Sequence, residues 1–231
     1  TGSLVANNNI ITITQNTTAT NSSAIQAIVA SYPAANITCN ENTITINQST
    51  SGSDIKFSGN IYVLDVSGVC TNAIVNGNTI TVNQTTSATS SSGVLGVATS
   101  PIRGIRATGS VSGTLTIGST GNGNTITIKQ AITGSGAGYS STVYHIELSL
   151  PYTLWQANFA YTSNNSDYYY FGGNTYLVTT TGTSGTSGPT HTTGAVANGT
   201  ATFTYVGPSY HGTVSIVDNT LNTTGSSLLT T

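Results

Sequence analysis

A short alternating run recurs four times along the chain, each time directly after an Asn-x-Asn triplet. The copies are Asn7–Gln15 (NNNIITITQ), Asn40–Gln48 (NENTITINQ), Asn76–Gln84 (NGNTITVNQ) and Asn122–Gln130 (NGNTITIKQ). Apolar and polar residues alternate with period two, which predicts a half-buried strand. Ile44 and Ile46, Ile80 and Val82, and Ile126 and Ile128 then face a core while the threonines face water. Asn-Gly or Asn-Glu supplies the positive-φ residues of a tight turn. Apolar segments precede the last three triplets at Asn36–Cys39, Ala73–Val75 and Thr114–Ile117, so these copies read as β-hairpins. The copies start 33, 36 and 46 residues apart. Periods of that size belong to solenoids, but the segments between share little. The copies are therefore read as repeated use of one good hairpin sequence.

The first copy has only residues 1–6 before it, too short for a comparable partner strand, yet Ile11 and Ile13 keep the core register. A polar stretch, residues 16–23, follows it. An isolated strand is unstable in water, so this one pairs either as the first strand of its own domain or with a neighbouring molecule. The division expected is a donor strand over 1–15, a linker over 16–23 and one elongated domain over 24–231. The residues that would enter a partner are Leu4, Val5, Ile10, Ile11 and Ile13.

Further along, Ser22 and Ser23 can cap a short helix over 24–30, with Ile25, Ile28 and Val29 on one face. Strands are expected around Lys56-Phe57 and Ile61–Leu64, and then at Val143–Leu150, Thr153–Tyr161, Thr175–Thr181, Thr200–Val206 and Thr213–Val217. Tyr168–Phe171 should run into a turn at Gly172-Gly173. About a dozen short strands with close turns predict an all-β fold, an Ig-like or Greek-key β-sandwich.

Composition sharpens this. Only 4% of the 231 residues are charged, with four Lys plus Arg against six Asp plus Glu, while Thr, Ser, Asn and Gly fill just over half the chain. Four cations cannot make a nucleic-acid footprint. No apolar run is long enough to span a membrane as a helix. Cys39 and Cys70 have no metal-ligand spacing around them and read as one disulfide of an oxidising compartment, with two buried thiols as the alternative. Sequons stand at Asn16, Asn21, Asn36, Asn47, Asn83, Asn164, Asn198 and Asn222, so covalent N-glycans are expected. The chain begins at Thr1, which is read as a mature chain relieved of its leader.

Catalytic chemistry finds little support. No two of the six acidic residues are close in sequence, and His145, His191 and His211 lack metal-ligand spacing. Arg103 and Arg106 form a basic patch of two, and Lys56 and Lys129 could be asked to form an isopeptide cross-link. The expectation is a protein that is not an enzyme, with no metal and no cofactor.

A secreted β-sandwich with one early disulfide and a spare strand at Leu4–Gln15 resembles a donor-strand-complemented pilin such as the bacterial type-1 pilins. The Thr/Ser/Asn-rich, sequon-dense chain is most similar to the archaeal thread filament subunits of the Sulfolobus type. That resemblance implies an Ig-like pilin fold and head-to-tail homopolymerisation, with the first strand filling a groove in the next subunit. It also implies dense N-glycosylation, an extracellular cell-surface filament, and a role in adhesion or biofilm formation. The alternatives are a secreted monomeric carbohydrate-binding or adhesin module, and a surface-layer or virion structural protein.

Overall fold

The computed structural model describes residues 2–18, 22–52, 59–87, 101–133, 142–149, 153–163, 168–208 and 213–225. As expected, the chain is all-β, and no helix occurs among these residues. The strands are arranged differently from a Greek-key sandwich, in which neighbouring strands run antiparallel. Every ladder of the three large sheets is parallel.

The first sheet contains β1 (Ser3–Val5), β4 (Ala34–Thr38), β7 (Cys70–Val75), β10 (Thr114–Ile117) and β20 (Thr213–Ile216), in that spatial order. The second contains β2 (Ile10–Thr17), β5 (Thr43–Thr50), β8 (Thr79–Thr86), β11 (Thr125–Ile132) and β21 (Thr220–Gly225). The third contains β3 (Ile25–Ala30), β6 (Ile61–Val66), β9 (Ile102–Ala107) and β12 (Val143–Leu148). The chain visits third, first and second sheet in turn and then repeats, each visit stacking on the last. This is a parallel β-solenoid of three full coils, with a partial coil (β1, β2) before them and an interrupted coil (β12, β20, β21) after.

The four sequence copies are thus successive rungs, and the hairpin reading is corrected. Ile11, Ile44, Ile80 and Ile126 lie side by side, as do Ile13, Ile46, Val82 and Ile128. The expected positive-φ residue exists in three of the four copies, at Asn8, Glu41 and Gly77; in the fourth it is Gly121 and not Gly123, and the last coil has its own at Asp218. It makes a corner into the next sheet instead of a return along the same one. The segments between copies differ because they supply the third sheet and its loops, where no shared side chain is required.

The segment 24–30 is strand and not helix. Its Ile25, Ile28 and Val29 pair with Ile61, Leu64 and Asp65, and β-branched residues favour the pleated surface over a seven-residue helix. Side chains from all three sheets fill one core, with Ile37, Ile44, Ile46, Leu64, Ile80, Ile105, Leu115 and Ile126 fully buried. Gly104 is needed where the third sheet presses on this core. A Cβ there would come within 2.8 Å of the Ile126 side chain and 2.7 Å of the His145 carbonyl oxygen.

Between β12 and β20 the chain leaves the solenoid and builds a second core. Its larger sheet holds β13 (Thr153–Leu154), β15 (Tyr168–Phe171), β16 (Asn174–Thr180), β18 (Ala195–Asn198) and β19 (Ala201–Pro208), mostly antiparallel. A pair, β14 (Ala160–Tyr161) with β17 (Gly182–Thr183), accompanies it. Tyr168–Phe171 turns back through Gly172 and Gly173, both at positive φ, as expected. Tyr161, Tyr176, Val178, Ala201 and Phe203 form the core, with Trp155, Tyr169, Phe171 and Tyr205 packed on it.

The cysteines do not form a disulfide. Both are free and buried. Cys70 pairs with Ala34 at one end of the first sheet, while Cys39 follows Thr38, the partner of Ile74, at the other. Five residues of strand, roughly 16 Å, separate those positions, far beyond the ~7 Å that a disulfide allows between Cα atoms.

Candidate functional site

The solenoid interior holds a row of amides at the corner between first and second sheets. The backbone N–H and Nδ2 of Asn9 donate to Asn42 Oδ1 at 3.0 and 2.8 Å. Asn42 donates in the same two ways to Asn78, Asn78 to Asn124, and Asn124 to Asn219. The second Nδ2 hydrogen reaches back one coil, from Asn42 to Ala6 O, Asn78 to Cys39 O, Asn124 to Val75 O and Asn219 to Ile117 O. Asn42, Asn78 and Asn124 are fully buried. A buried amide is tolerable only when its hydrogen bonds are made, and here each Asn needs an Asn one coil away. A second row, Gln130 to Gln84 to Gln48 to Gln15, donates in the opposite direction.

The asparagine row ends at two open faces, and the glutamine row reaches only the first of them. At one, Leu4, Ile11 and Ile13 point toward the interior but stay partly exposed, because among the described residues no strand lies over β1 or β2. At the other, Val214, Ile216 and Leu221 occupy core positions beside Leu115, Ile117 and Ile126 and remain 41%, 47% and 46% exposed. Neither set of edge strands in the first two sheets contains a charge or a proline. Those are the devices that ordinarily stop strand edges from pairing with other chains.

The five residues expected to be donated lie in the first, partial coil. Leu4 and Val5 pair with Ile37 and Thr38, and Ile10, Ile11 and Ile13 with Thr43, Ile44 and Ile46 of the same chain. Leu4, Ile11 and Ile13 face inward, whereas Val5 and Ile10, at 65% and 85% exposure, face out. Strand β2 also runs through Thr17, two residues into the segment read as a linker.

Of the sequon residues, Asn16 and Asn36 are exposed on β2 and β4, and Asn222 is exposed on β21. Asn47 and Asn83 sit one above the other on β5 and β8, where Asn83 Nδ2 donates to Asn47 Oδ1 at 2.8 Å. Asn198 Nδ2 donates to Ser187 O at 2.7 Å. Asn21 and Asn164 lie outside the described residues, as do Lys56 and His211. Lys129 is exposed on β11.

One cluster escapes sequence reasoning beyond the two arginines. On the third sheet, Arg106 stands between Asp65 and Glu147, and Arg103 between Tyr62 and Tyr144. Arg103 Nε donates to Glu147 Oε2, and Arg106 Nε lies 3.7 Å from Asp65 Oδ1. The Arg106 guanidinium lies 4.6 Å from the Tyr62 ring centre, and that of Arg103 lies 5.1 and 5.4 Å from Tyr62 and Tyr144. Burial raises the Asp65 pKa above the usual carboxylate value, against the opposing pull of Arg106. Each cation already has its carboxylate, so the cluster is a clamp across three coils and carries no net charge to draw an ion. Its signal was available, since positions 65, 106 and 147 and positions 62, 103 and 144 are each evenly spaced. Among the described residues no three His, Cys, Asp or Glu gather as metal ligands.

The outer face of the first sheet bears a shallow groove of about 400 Å³, lined by Val5, Asn36, Asn72, Ile74, Thr114 and Thr116 among others. Comparison of the chain with protein-family models, curated proteins and solved structures finds no match to any of them.

Proposed function

We propose that this chain is a structural subunit of an extracellular filament that grows head to tail. One observation carries the reading: both open faces present parallel strand edges and half-exposed core side chains, with no charge or proline in the edge strands of the first two sheets to prevent pairing. Because the strands are parallel, the two faces are different surfaces. Joining one to the other is a heterologous contact that does not close on itself and so propagates as a filament. The scarcity of charge and the exposed sequon residues Asn16, Asn36 and Asn222 support an extracellular, glycan-bearing surface. The side unit built from β13 to β19 is the part free to vary without disturbing the rod, and is the natural carrier of an adhesive role.

A donor-strand form of the same assembly is the second reading. It is favoured by the position of β1 and β2, which among the described residues pair with other strands along one edge only. In that form residues 1–15 would leave their own sheet and enter a neighbour's. The groove on the first sheet supports a third reading, a monomeric carbohydrate-binding module. Sedimentation velocity and negative-stain electron microscopy on residues 1–231 across a concentration series test the proposal. Unbranched filaments are expected, and a monomer that persists at high concentration overturns it in favour of the module. Deleting residues 1–15, or combining Ile11→Asp with Ile13→Asp, should abolish assembly.

A further inference from the structure

We infer that the filament contact is a continuation of the solenoid itself. In this contact the asparagine row of one copy runs into that of the next, through Asn219 on one face and Asn9 on the other. The inference rests on the filament reading above and specifies its partner surface and register.

The row has a direction, and its two ends are complementary. Each internal Asn gives its backbone N–H and one Nδ2 hydrogen to the Oδ1 of the Asn in the following coil. At the last coil, Asn219 accepts from Asn124 and donates back to Ile117 O, so its backbone N–H and second Nδ2 hydrogen take no partner among the described residues. At the first coil, Asn9 spends its backbone N–H and one Nδ2 hydrogen on Asn42, leaving its Oδ1 without a donor among the described residues. Two aligned donors therefore terminate one face and their acceptor terminates the other. A second copy set on the last coil at the ordinary strand spacing of about 4.8 Å closes both bonds. Its Asn9 Nδ2 is then placed to reach Ile216 O, repeating the backward bond made at every other coil.

The side chains agree with this register. Carrying the observed pairing forward by one coil sets Leu4 of the second copy against Val214, Ile11 against Leu221 and Ile13 against Thr223. All six of these inward positions carry aliphatic or threonine side chains, and each is at least partly exposed to water. Slipping by one residue would turn Ile11 and Ile13 outward and separate the amides. The glutamine row cannot set the register, because it stops at Gln130, whose partner in the last coil is Gly225. In the third sheet the first coil contributes no strand among the described residues, so the first two sheets make the junction.

The register puts Thr12 of one copy directly beside Asn222 of the other, both pointing outward. In the double variant Thr12→Cys with Asn222→Cys, mild oxidation should give a ladder of covalent dimers, trimers and longer species on non-reducing gels. Thr14→Cys with Asn222→Cys, two residues out of register and beyond disulfide reach, should give at least tenfold less. Cys39 and Cys70 do not interfere, being buried. Material that forms filaments without an in-register ladder overturns this contact and leaves the filament reading standing in its donor-strand form. Material that stays monomeric, with no ladder at any concentration, overturns both.

Discussion

Asn42 and Asn78 meet inside the rod with two hydrogen bonds on one oxygen. The backbone N–H and Nδ2 of Asn42 both donate to Asn78 Oδ1, at 3.0 and 2.8 Å, and both residues are fully buried. Asn78→Ala removes that acceptor together with the donors to Cys39 O and Asn124 Oδ1. An unpaired buried polar group costs about 1–3 kcal/mol. Asn78→Ala should therefore lower the unfolding free energy by roughly 3 kcal/mol in urea titrations, against about 1 kcal/mol for Asn9→Ala at the exposed end. Equal losses at the two positions would show that the row contributes nothing special to the interior.

The buried thiols make a second prediction. Burial raises the pKa of Cys39 and Cys70 from 9.0 to about 11. At pH 8 the native protein should react with a thiol reagent many times more slowly than the urea-unfolded chain, which should titrate two thiols. The folded state holds these protons to higher pH than the unfolded chain does. The corresponding stability is thus full below pH 9 and lost as pH rises from 9 toward 11. A melting temperature that is flat over that interval in wild type, and identical in the double variant Cys39→Ala with Cys70→Ala, would contradict it.

Asp65 gives the opposite kind of pH dependence from a paired surface carboxylate. Its pKa is raised by burial, with Arg106 and a hydrogen bond from Ser67 pulling the other way. The folded protein then holds the proton where the unfolded chain has released it. Its contribution is present below the unfolded value of 3.8 and falls as pH rises through the interval above. In Asp65→Asn that component should vanish. Subtracting the two melting-temperature profiles between pH 3 and 7 should leave a curve in which wild type declines relative to the variant. A difference curve with the reverse slope would show that Arg106 outweighs burial.

How much of this was visible beforehand depends on which residues are considered. The strand faces were legible, because Ile44, Ile46, Ile80, Val82, Ile126 and Ile128 alternate with polar residues and are all fully buried. The corner residue was legible in three copies, since Asn8, Glu41 and Gly77 do adopt positive φ, but not in the fourth, where Gly121 takes that role and not Gly123. The direction of the chain after the corner was not. A strand, a one-residue corner and another strand can fold back as a hairpin or turn into a new sheet, and local propensity is the same for both. What decides between them is a contact 33 to 46 residues away, the amide-to-amide bond between copies. The repeated Asn-x-Asn triplet recorded that contact, but its first and last residues look like turn formers when read locally. Likewise Ile25, Ile28 and Val29 fit a helical stripe on spacing alone, and only their partners Ile61, Leu64 and Asp65 make them a strand.

The side unit offers a fourth prediction. It has its own aromatic core, and β12 ends at Leu148 while β20 begins at Thr213. The equivalent corner of the first full coil is crossed by only Ser31, Tyr32 and Pro33. Replacing residues 149–212 with Ser-Tyr-Pro should leave a folded solenoid, with its β-sheet circular dichroism and a single cooperative melt retained. Loss of cooperative unfolding would mean that the rod depends on the side unit for its last coil.

Seen as a mechanical object, the stack of coils is a chain of links loaded in series. Each coil touches only the one before and the one after, so tension between the two ends falls on one inter-coil boundary at a time, beginning at whichever end is least covered. Peeling a coil would release the 33, 36 or 46 residues between successive asparagines, or roughly 12, 13 and 17 nm of extended chain. A thread built of such subunits would stretch under load by shedding slack in discrete steps and would recover by rewinding, instead of snapping at its joints.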